Sequence, residues 1–385
     1  MVVPLKSFSC AWALKTFSDV LSIRIPGNPA FGRPIPDRRS EGKGLKTKKD
    51  TGQAPTGIKD VAKAAGVSPA TVSRVLGAGP VSAELRKRVE KAVKQTGYRP
   101  NLSARRLRSQ NTKTIGLVVA DIRNPFFTAV SRVVEDMAYA QGMRVVLCNT
   151  DENPEREAFY LRSMQEERVT GLILTPTQTT LLKLEKDPLL DVPVVMVDRY
   201  LPGGRYDAVV LDNRKAAASL VEHLIAAGKK RIAGLFGDSS RTGQEREQGY
   251  ADALKKNGRP LLGQLIRPYA ADAESALNTL LETEKPDAVI ASNSLIAAGI
   301  LRAIKARKLQ IPRDLAVAAF DNEPWTSLVE PGLTVIAQPV DEIGHAAMRL
   351  LSDRIQTPEL PPRIIILSGE LVVRGSSTAK SGKAA

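Results

Sequence analysis

The sequence predicts two modules of different class: a small all-α helix-turn-helix domain and a large α/β core of two lobes, each a doubly wound parallel sheet. Three observations carry this reading. Between residues 57 and 97, apolar residues recur at helical spacing and glycines punctuate them. From residue 113 onward, short β-branched runs alternate with amphipathic stretches, the order that builds a parallel sheet covered by helices. The charge is also unevenly placed. Residues 1–55 carry ten Lys/Arg against four Asp/Glu, and residues 56–110 carry twelve against three. The whole net charge of +15 is therefore reached by residue 110, and the remaining 275 residues sum to zero. A neutral body with a basic front is the electrostatic pattern of a modular nucleic-acid binder.

The 385 residues accommodate one small domain and one bilobed one, and 43% hydrophobic with 25% charged residues is ordinary for a globular chain. The sequence has no run of about 18 apolar residues, so no membrane partner is expected. Two cysteines, Cys10 and Cys148, are too few for a disulfide framework, which points to a reducing cytoplasm. Cys148 ends the apolar run Val145-Val146-Leu147 and reads as a buried thiol. With two histidines in the chain, neither a metal site nor a metal cofactor is expected. At the front, Lys15, Asp19 and Arg24 interrupt the apolar residues, and no clean secretion signal follows. Pro26, Pro29, Pro34 and Pro36, then Gly, Lys and Thr up to Pro55, predict a disordered extension over 1–55, of the kind an upstream start codon would add.

The ordered pattern begins with Ile58, Val61, Ala62 and Ala65, one apolar helix face ended by Gly66. Ser68 is an N-cap with Pro69 at the first helical position, and Val72, Val75 and Leu76 form the inward face of a second short helix. A third helix starts at the cap Ser82, buries Leu85, Val89, Ala92 and Val93, and ends at Gly97. The outer side of the second helix carries Ala70, Thr71, Ser73 and Arg74. Small residues allow close approach to a major groove, hydroxyls can reach phosphates, and Arg pairs bidentately with guanine.

The stretch Ile58-Lys-Asp-Val-Ala-Lys-Ala-Ala-Gly-Val-Ser-Pro-Ala-Thr-Val-Ser-Arg-Val-Leu76 resembles the N-terminal signature of the LacI/GalR repressor family almost residue for residue. Gly97-Tyr98-Arg99-Pro100-Asn101 followed by Ala104-Arg105-Arg106-Leu107 is similar to that family's hinge helix. The resemblance implies DNA contacts from Ser68, Pro69, Ala70, Thr71, Ser73 and Arg74, and from Tyr98, Asn101, Ala104, Arg105, Leu107 and Arg108. In the family the hinge orders on operator DNA, and the leucine matched here by Leu107 wedges into the minor groove. A helix of eight or nine residues is too short to persist alone in water, and an apolar wedge between Arg106 and Arg108 suits that use. Packing of Leu107 against the core is the alternative.

In the large module, Ile115–Ala120, Val145–Leu147, Leu172–Leu174 and Val194–Val197 are near-continuous apolar runs, expected of strands covered on both faces. Helical stretches near 126–141 and 154–168 separate the first three. The alternation restarts after Asp212 with Ile232–Phe236, Ala288–Ala291 and Leu315–Phe320, and with helices near 213–227, 243–257 and 293–307. The family resemblance extends to about residue 376 through Asn124-Pro125-Phe126-Phe127, Val197-Asp198-Arg199, Leu211-Asp212-Asn213, Arg246-x-x-Gly249-Tyr250, Phe320-Asp321-Asn322 and Leu333-Thr334-Val335. It implies a core similar to periplasmic sugar-binding proteins that takes a small-molecule effector (a sugar or sugar acid) in the cleft between lobes. It also implies a homodimer or higher oligomer on a near-palindromic operator.

The expected organisation is then a disordered extension (1–55), the helix-turn-helix (56–100) and a hinge helix with linker (101–112). The bilobed core (113–376) pairs 113–212 with 338–368 in one lobe and 213–337 with 369–376 in the other. A disordered tail (377–385) follows.

The candidate effector contacts are Phe126 and Phe127, Arg199, Arg246, Tyr269, Asn293 and Asp321, each at a strand end or a helix start. Aromatics there can stack on a sugar ring, Arg246 can donate to hydroxyls or a carboxylate, and Asn293 and Asp321 can bridge hydroxyls. Alternatives stand beside several of them: Asp321 as a helix or loop cap, Arg246 in an ordinary surface or interlobe ion pair, Asp198 and Arg199 pairing with each other. Trp325 reads as packing. No catalytic residue is expected: the chain has no phosphate loop, nucleophile elbow or dinucleotide fingerprint, and His223 and His345 fall within helices. A solute-binding protein of a transport system is the competing reading, since it would share the large module but have no helix-turn-helix.

Overall fold

The computed structural model describes residues 57–77, 79–98, 112–186 and 191–378. The expected extension over 1–55, the hinge residues 101–111 and the end of the tail lie outside the described residues, and Asn101, Ala104, Arg105, Leu107 and Arg108 with them. The chain divides into two compact units, Met1–Arg99 and Pro100–Ala385.

The first unit holds α1 (Ile58–Ala65), α2 (Pro69–Leu76) and α3 (Ala83–Thr96). Each is bounded by local chemistry. The Gly57 N–H donates to Asp60 Oδ2 at 2.8 Å at the start of α1, and Gly66 ends it in the left-handed region at φ +62°. Arg88, reaching over from α3, donates to Ala65 O at 2.8 Å and so satisfies a carbonyl the helix leaves unpaired. Ser68 Oγ accepts from Thr71 N at 3.1 Å ahead of Pro69. Val61, Ala62 and Ala65, Val72 and Val75, and Val89 and Ala92 close the core from the three helices.

In the second unit, β1 (Thr114–Val119), α4 (Pro125–Ala140), β2 (Arg144–Asn149), α5 (Pro154–Glu166), β3 (Gly171–Leu174), α6 (Gln178–Lys186), β4 (Val194–Val197) and β5 (Asp207–Leu211) make the first lobe. The second lobe follows as α7 (Asn213–Ala226), β6 (Ile232–Gly237), α8 (Arg241–Lys256), β7 (Leu262–Ile266), α9 (Ala270–Thr283) and β8 (Ala288–Ala291). It continues as α10 (Ser294–Ala306), β9 (Ala316–Phe320), α11 (Pro324–Leu328) and β10 (Thr334–Ala337). The chain then returns, α12 (Val340–Gln356) and β11 (Ile364–Leu367) joining the first lobe and β12 (Glu370–Val372) the second. The sheets run β11-β5-β4-β3-β1-β2 and β12-β10-β9-β8-β6-β7, parallel except for β12. Central strands are apolar because helices cover both their faces.

Three crossovers connect the lobes, after β5, after β10 and after β11, and they meet at Gly369. A Cβ there would lie 2.5 Å from Ile336 Cγ2, with Ala337 O and Leu211 Cδ1 at 3.3 and 3.4 Å. The Asp212 N–H donates to Leu367 O at 2.8 Å across two of these segments. Below them, the fully buried Asp207 accepts from Arg354 Nη2 at 3.0 Å and from Arg363 N at 2.7 Å, fastening β5 to the end of α12 and the start of β11.

Two expectations are corrected. The run Val145–Leu147 is not covered on both faces: β2 is an edge strand paired to β1 alone, and Val146 and Leu147 are exposed. The tail does not begin at residue 377. Ser377 is fully buried, its Oγ 2.7 Å from both His223 Nε2 and Thr334 Oγ1, because Ser376 and Ser377 complete hydrogen bonds that the second lobe leaves open. Among the described residues, no helix is long and apolar enough to cross a membrane, and no cluster of three or more His, Cys, Asp or Glu could hold a metal ion.

Candidate ligand cleft and nucleic-acid interface

Parallel strands deliver their C-terminal ends, and the helix N-termini that follow them, to one edge of a sheet, where ligands of open α/β folds collect. In this unit those ends converge on a cavity of about 290 Å³ between the lobes. β1, β2 and β4 bring Asp121, Asp151 with Glu152, and Asp198 with Arg199. The second lobe contributes residues after β6, β7, β8 and β9, and the crossover after β10 adds Gln338.

Arg246 is the best-defined side chain of the cleft. It is 4% exposed, stacks on the Phe320 ring with Cζ 4.0 Å from the centroid, and donates from Nε to Asn213 Oδ1 at 2.8 Å and from Nη1 to Ser292 O at 2.5 Å. Its Nη2 has no hydrogen-bond partner among the described residues, and no carboxylate there lies within ion-pair distance. Burial pushes its guanidinium down from its usual value, with Asp321 and Asp198 opposing the shift. A buried guanidinium whose Nη2 is unpaired among the described residues, on a residue that lines the cavity, has the chemistry to donate to an oxygen ligand.

The other expected residues are placed as follows. Phe126 and Phe127 open α4, line the cavity and pack edge to face at 5.2 Å, with most of both rings in the core. Tyr269 lines the cavity from the second lobe. Its ring lies 5.2 Å from the guanidinium of Arg123, a first-lobe residue held by Asp121 at 2.8 and 2.9 Å. Asn293 Oδ1 caps α10 through Ile296 N at 2.8 Å, and its Nδ2 has no partner among the described residues. Asp321 also serves the start of α10, accepting from Ser294 N at 3.0 Å while Gln338 Nε2 donates to its other oxygen at 2.7 Å.

Arg199 is buried and its fork is committed. Nη1 donates to Glu152 Oε2 at 2.8 Å and to Pro176 O at 3.0 Å, and Nη2 pairs with Glu152 Oε1. Asp198 Oδ2 is 3.3 Å from its Nε. The two therefore pair, and Asp198 also bridges lobes, accepting from Thr242 Oγ1 at 3.0 Å. Burial pushes its carboxyl up, although Arg199 and Arg246 pull the other way. Trp325 packs at the edge of the second-lobe core.

Sequence reading missed Asp121, Glu152, Ser292 and Gln338. The rule that functional residues follow strands would have found Asp121 and Ser292. Gln338 also follows a strand directly, β10, but that strand was not among the apolar runs read from the sequence, and Glu152 lies three residues beyond β2 with no comparable signal.

In the first unit, Ser68, Pro69, Ala70 and Arg74 are exposed, and Thr71 and Ser73 are half-buried. Ser68 Oγ and Thr71 Oγ1 lie 2.9 Å apart, so both hydroxyls serve the cap as well as facing outward. The Arg74 side chain has no hydrogen bond or ion pair among the described residues. Tyr98 packs partly against the three-helix core.

Such a helix-turn-helix joined to a two-lobed periplasmic-binding-type core defines a ligand-responsive DNA-binding regulator. Residues 57–101 match the model of bacterial regulatory proteins of the lacI family, and residues 221–377 match a periplasmic binding protein-like domain. The chain is 36% identical over 331 residues to the ribose operon repressor of Halalkalibacterium halodurans, covering 85% of this chain and 98% of that protein. Among solved structures it is similar to the lac repressor dimer bound to operator and the anti-inducer ONPF. That match has a TM-score of 0.76 and 26% identity, and it covers 85% of this chain and 100% of that one. It is also similar to the transcriptional regulator CelR in complex with cellobiose, with a TM-score of 0.62 and 29% identity, covering 83% and 99% of the two chains. The chain belongs to the LacI family of transcriptional regulators.

Proposed function

We propose that this regulator binds a monosaccharide or sugar acid between its lobes, and that occupancy there controls binding of a homodimer to a near-palindromic operator. The observation that carries this is the Nη2 of buried Arg246, without a partner among the described residues, in a cleft that also brings carboxylates, hydroxyls, amides and aromatic rings together. Polyhydroxylated ligands offer both the acceptors that Arg246 needs and donors for the carboxylates of Asp321 and of Asp238, which lines the cavity just after β6. Phe126, Phe127 and Tyr269 supply apolar faces for a ring, and Nδ2 of Asn293 a further donor. Arg199 contributes by fixing the Glu152 wall. A cavity of about 290 Å³ has room for a sugar-sized ligand.

The named relatives support the class of ligand: one is a ribose operon repressor and one was solved as a complex with cellobiose. On the DNA side, α2 enters the major groove with Ala70 at close approach and Arg74 on a base edge. Ser68, Pro69, Thr71 and Ser73 meet the backbone. The hinge residues Asn101, Ala104, Arg105, Leu107 and Arg108 act with Tyr98 at the adjoining minor groove. The chain performs no catalysis and works in the cytoplasm.

The test is a thermal-shift panel of D-ribose, D-xylose, D-gluconate and cellobiose on the full chain. Ligand at 100 times its Kd adds about 2.7 kcal/mol of apparent stability. Stabilisation by a monosaccharide or sugar acid is expected. A panel that leaves the melting curve unmoved, or moves it for cellobiose alone, refutes the proposal.

A further inference from the structure

Asn213 opens α7 immediately after the β5 crossover, and it is 2% exposed. Its amide has two partners of opposite kind: Oδ1 accepts from Arg246 Nε at 2.8 Å, and Nδ2 donates to Glu245 Oε2 at 3.2 Å. A guanidinium cannot accept and a carboxylate cannot donate, so this amide has one orientation only. Glu245 is held in turn by Arg241 Nε at 2.9 Å, and the Arg241 guanidinium lies 5.8 Å from the ring of Tyr200 in the first lobe. One chain of side chains therefore runs from the ligand cavity, through the crossover, to the opposite lobe.

The backbone around this chain has little slack. A Cβ at Gly249 of α8 would lie 2.2 Å from Arg214 O, so α8 rides directly on the first turn of α7. Asp212, one residue earlier, is bonded to Leu367 O of the third crossover at 2.8 Å. A displacement of Arg246 toward a ligand strains or breaks its bond to Asn213, which follows the crossover residue Asp212 directly.

We propose that Asn213 is a positioning residue of the regulatory response: it aims the free Nη2 of Arg246 into the cleft and passes displacement of that side chain to the segment joining the lobes. The proposal rests on the reading that Arg246 receives the effector. Nε and Nη1 fix the plane of the guanidinium and its rotation in that plane, and Asn213 supplies the first of these anchors. Without it, the side chain would keep its stacking on Phe320 and its bond to Ser292 O but would lose its defined aim.

The experiment uses the full-length protein with ¹⁵N-labelled arginine. The Arg246 Nε–H resonance is assigned by its loss in Arg246→Lys, and its exchange with water is measured. Asn213→Ala should speed that exchange at least tenfold, whereas Asn213→Asp, which keeps an acceptor, should preserve the protection. If Asn213→Ala does not fold, Asn213→Ser, whose hydroxyl stops short of Nε, gives the same readout.

In parallel, D-ribose, D-xylose and D-gluconate are titrated into wild type and variant, with and without an operator selected from random duplex. Asn213→Ala should raise the Kd of a binding probe at least tenfold and uncouple saturating probe from operator affinity, and Asn213→Asp should restore part of that coupling. Unchanged Nε–H exchange in Asn213→Ala overturns the proposal, as does a variant that couples probe to operator like wild type. If none of the three probes binds wild type, the sugar reading fails, while the exchange measurement still decides whether Asn213 positions Arg246.

Discussion

Replacing Arg246 by Met separates ligand recognition from folding. The unbranched thioether keeps an apolar stem against the Phe320 ring, now 4.0 Å from the guanidinium. It removes all three directions of the fork. Two of them serve Asn213 and Ser292, and their loss leaves Asn213 Oδ1 and Ser292 O without this donor. Each lost charge-assisted bond costs about 1.5–3 kcal/mol. Against that, the wild-type protein desolvates a guanidinium with no carboxylate at ion-pair distance among the described residues, and the variant escapes this burden. The two effects oppose, so folding stability should change by no more than about 2 kcal/mol in either direction. Ligand binding has no such compensation. Loss of the Nη2 contact should cost about 1.5–3 kcal/mol, a 10- to 150-fold weaker effector. Isothermal titration of the best compound from the sugar panel reads the affinity, urea unfolding the stability, and anisotropy on a selected operator the DNA affinity. The last should stay within about twofold of wild type. An unchanged effector titration in a folded variant would refute the reasoning and make Arg246 an architectural residue.

On the DNA side, Arg74 is an exposed long donor on α2 without a partner among the described residues, so Arg74→Ala should cost about 1–3 kcal/mol on the selected operator and relax preference at one symmetric base position. Anisotropy on single-base operator variants checks it, and equal weakening on every variant would assign Arg74 to phosphate instead. The pH dependence of stability offers a third measurement. Burial raises the Asp198 carboxyl in the folded protein, so the folded state binds more protons than the unfolded one above the ordinary carboxylate range. Its contribution is present at low pH and is lost as pH rises through the raised value. Asp198→Asn keeps an acceptor for Thr242 and removes the charge, so it should gain stability relative to wild type as pH increases. Urea midpoints that differ equally at pH 5 and pH 8 would show that Asp198 does not titrate this way.

The sequence by itself determined what depends on near neighbours. Ser68 with Pro69, Ser82, Gly66 and Gly97 set the limits of three helices through caps that act within four residues. Apolar runs marked the central strands, and the rule that ligands gather at strand ends brought Arg246, Tyr269, Asn293 and Asp321 to one cavity. Tertiary structure alone decided who faces whom. Arg199 turned to Glu152, 47 positions away, and Arg246 to Asn213, 33 away. The apolar letters of Val146 and Leu147 could not say that β2 would lie at a sheet edge, because edge or centre is a property of strand order. Ser377 looked like tail until His223 and Thr334 were seen to need its hydroxyl. A hydrogen bond or an ion pair depends on distances of about 3 Å. Chain spacing sets such distances within one helical turn, and beyond it only the packing of whole elements does.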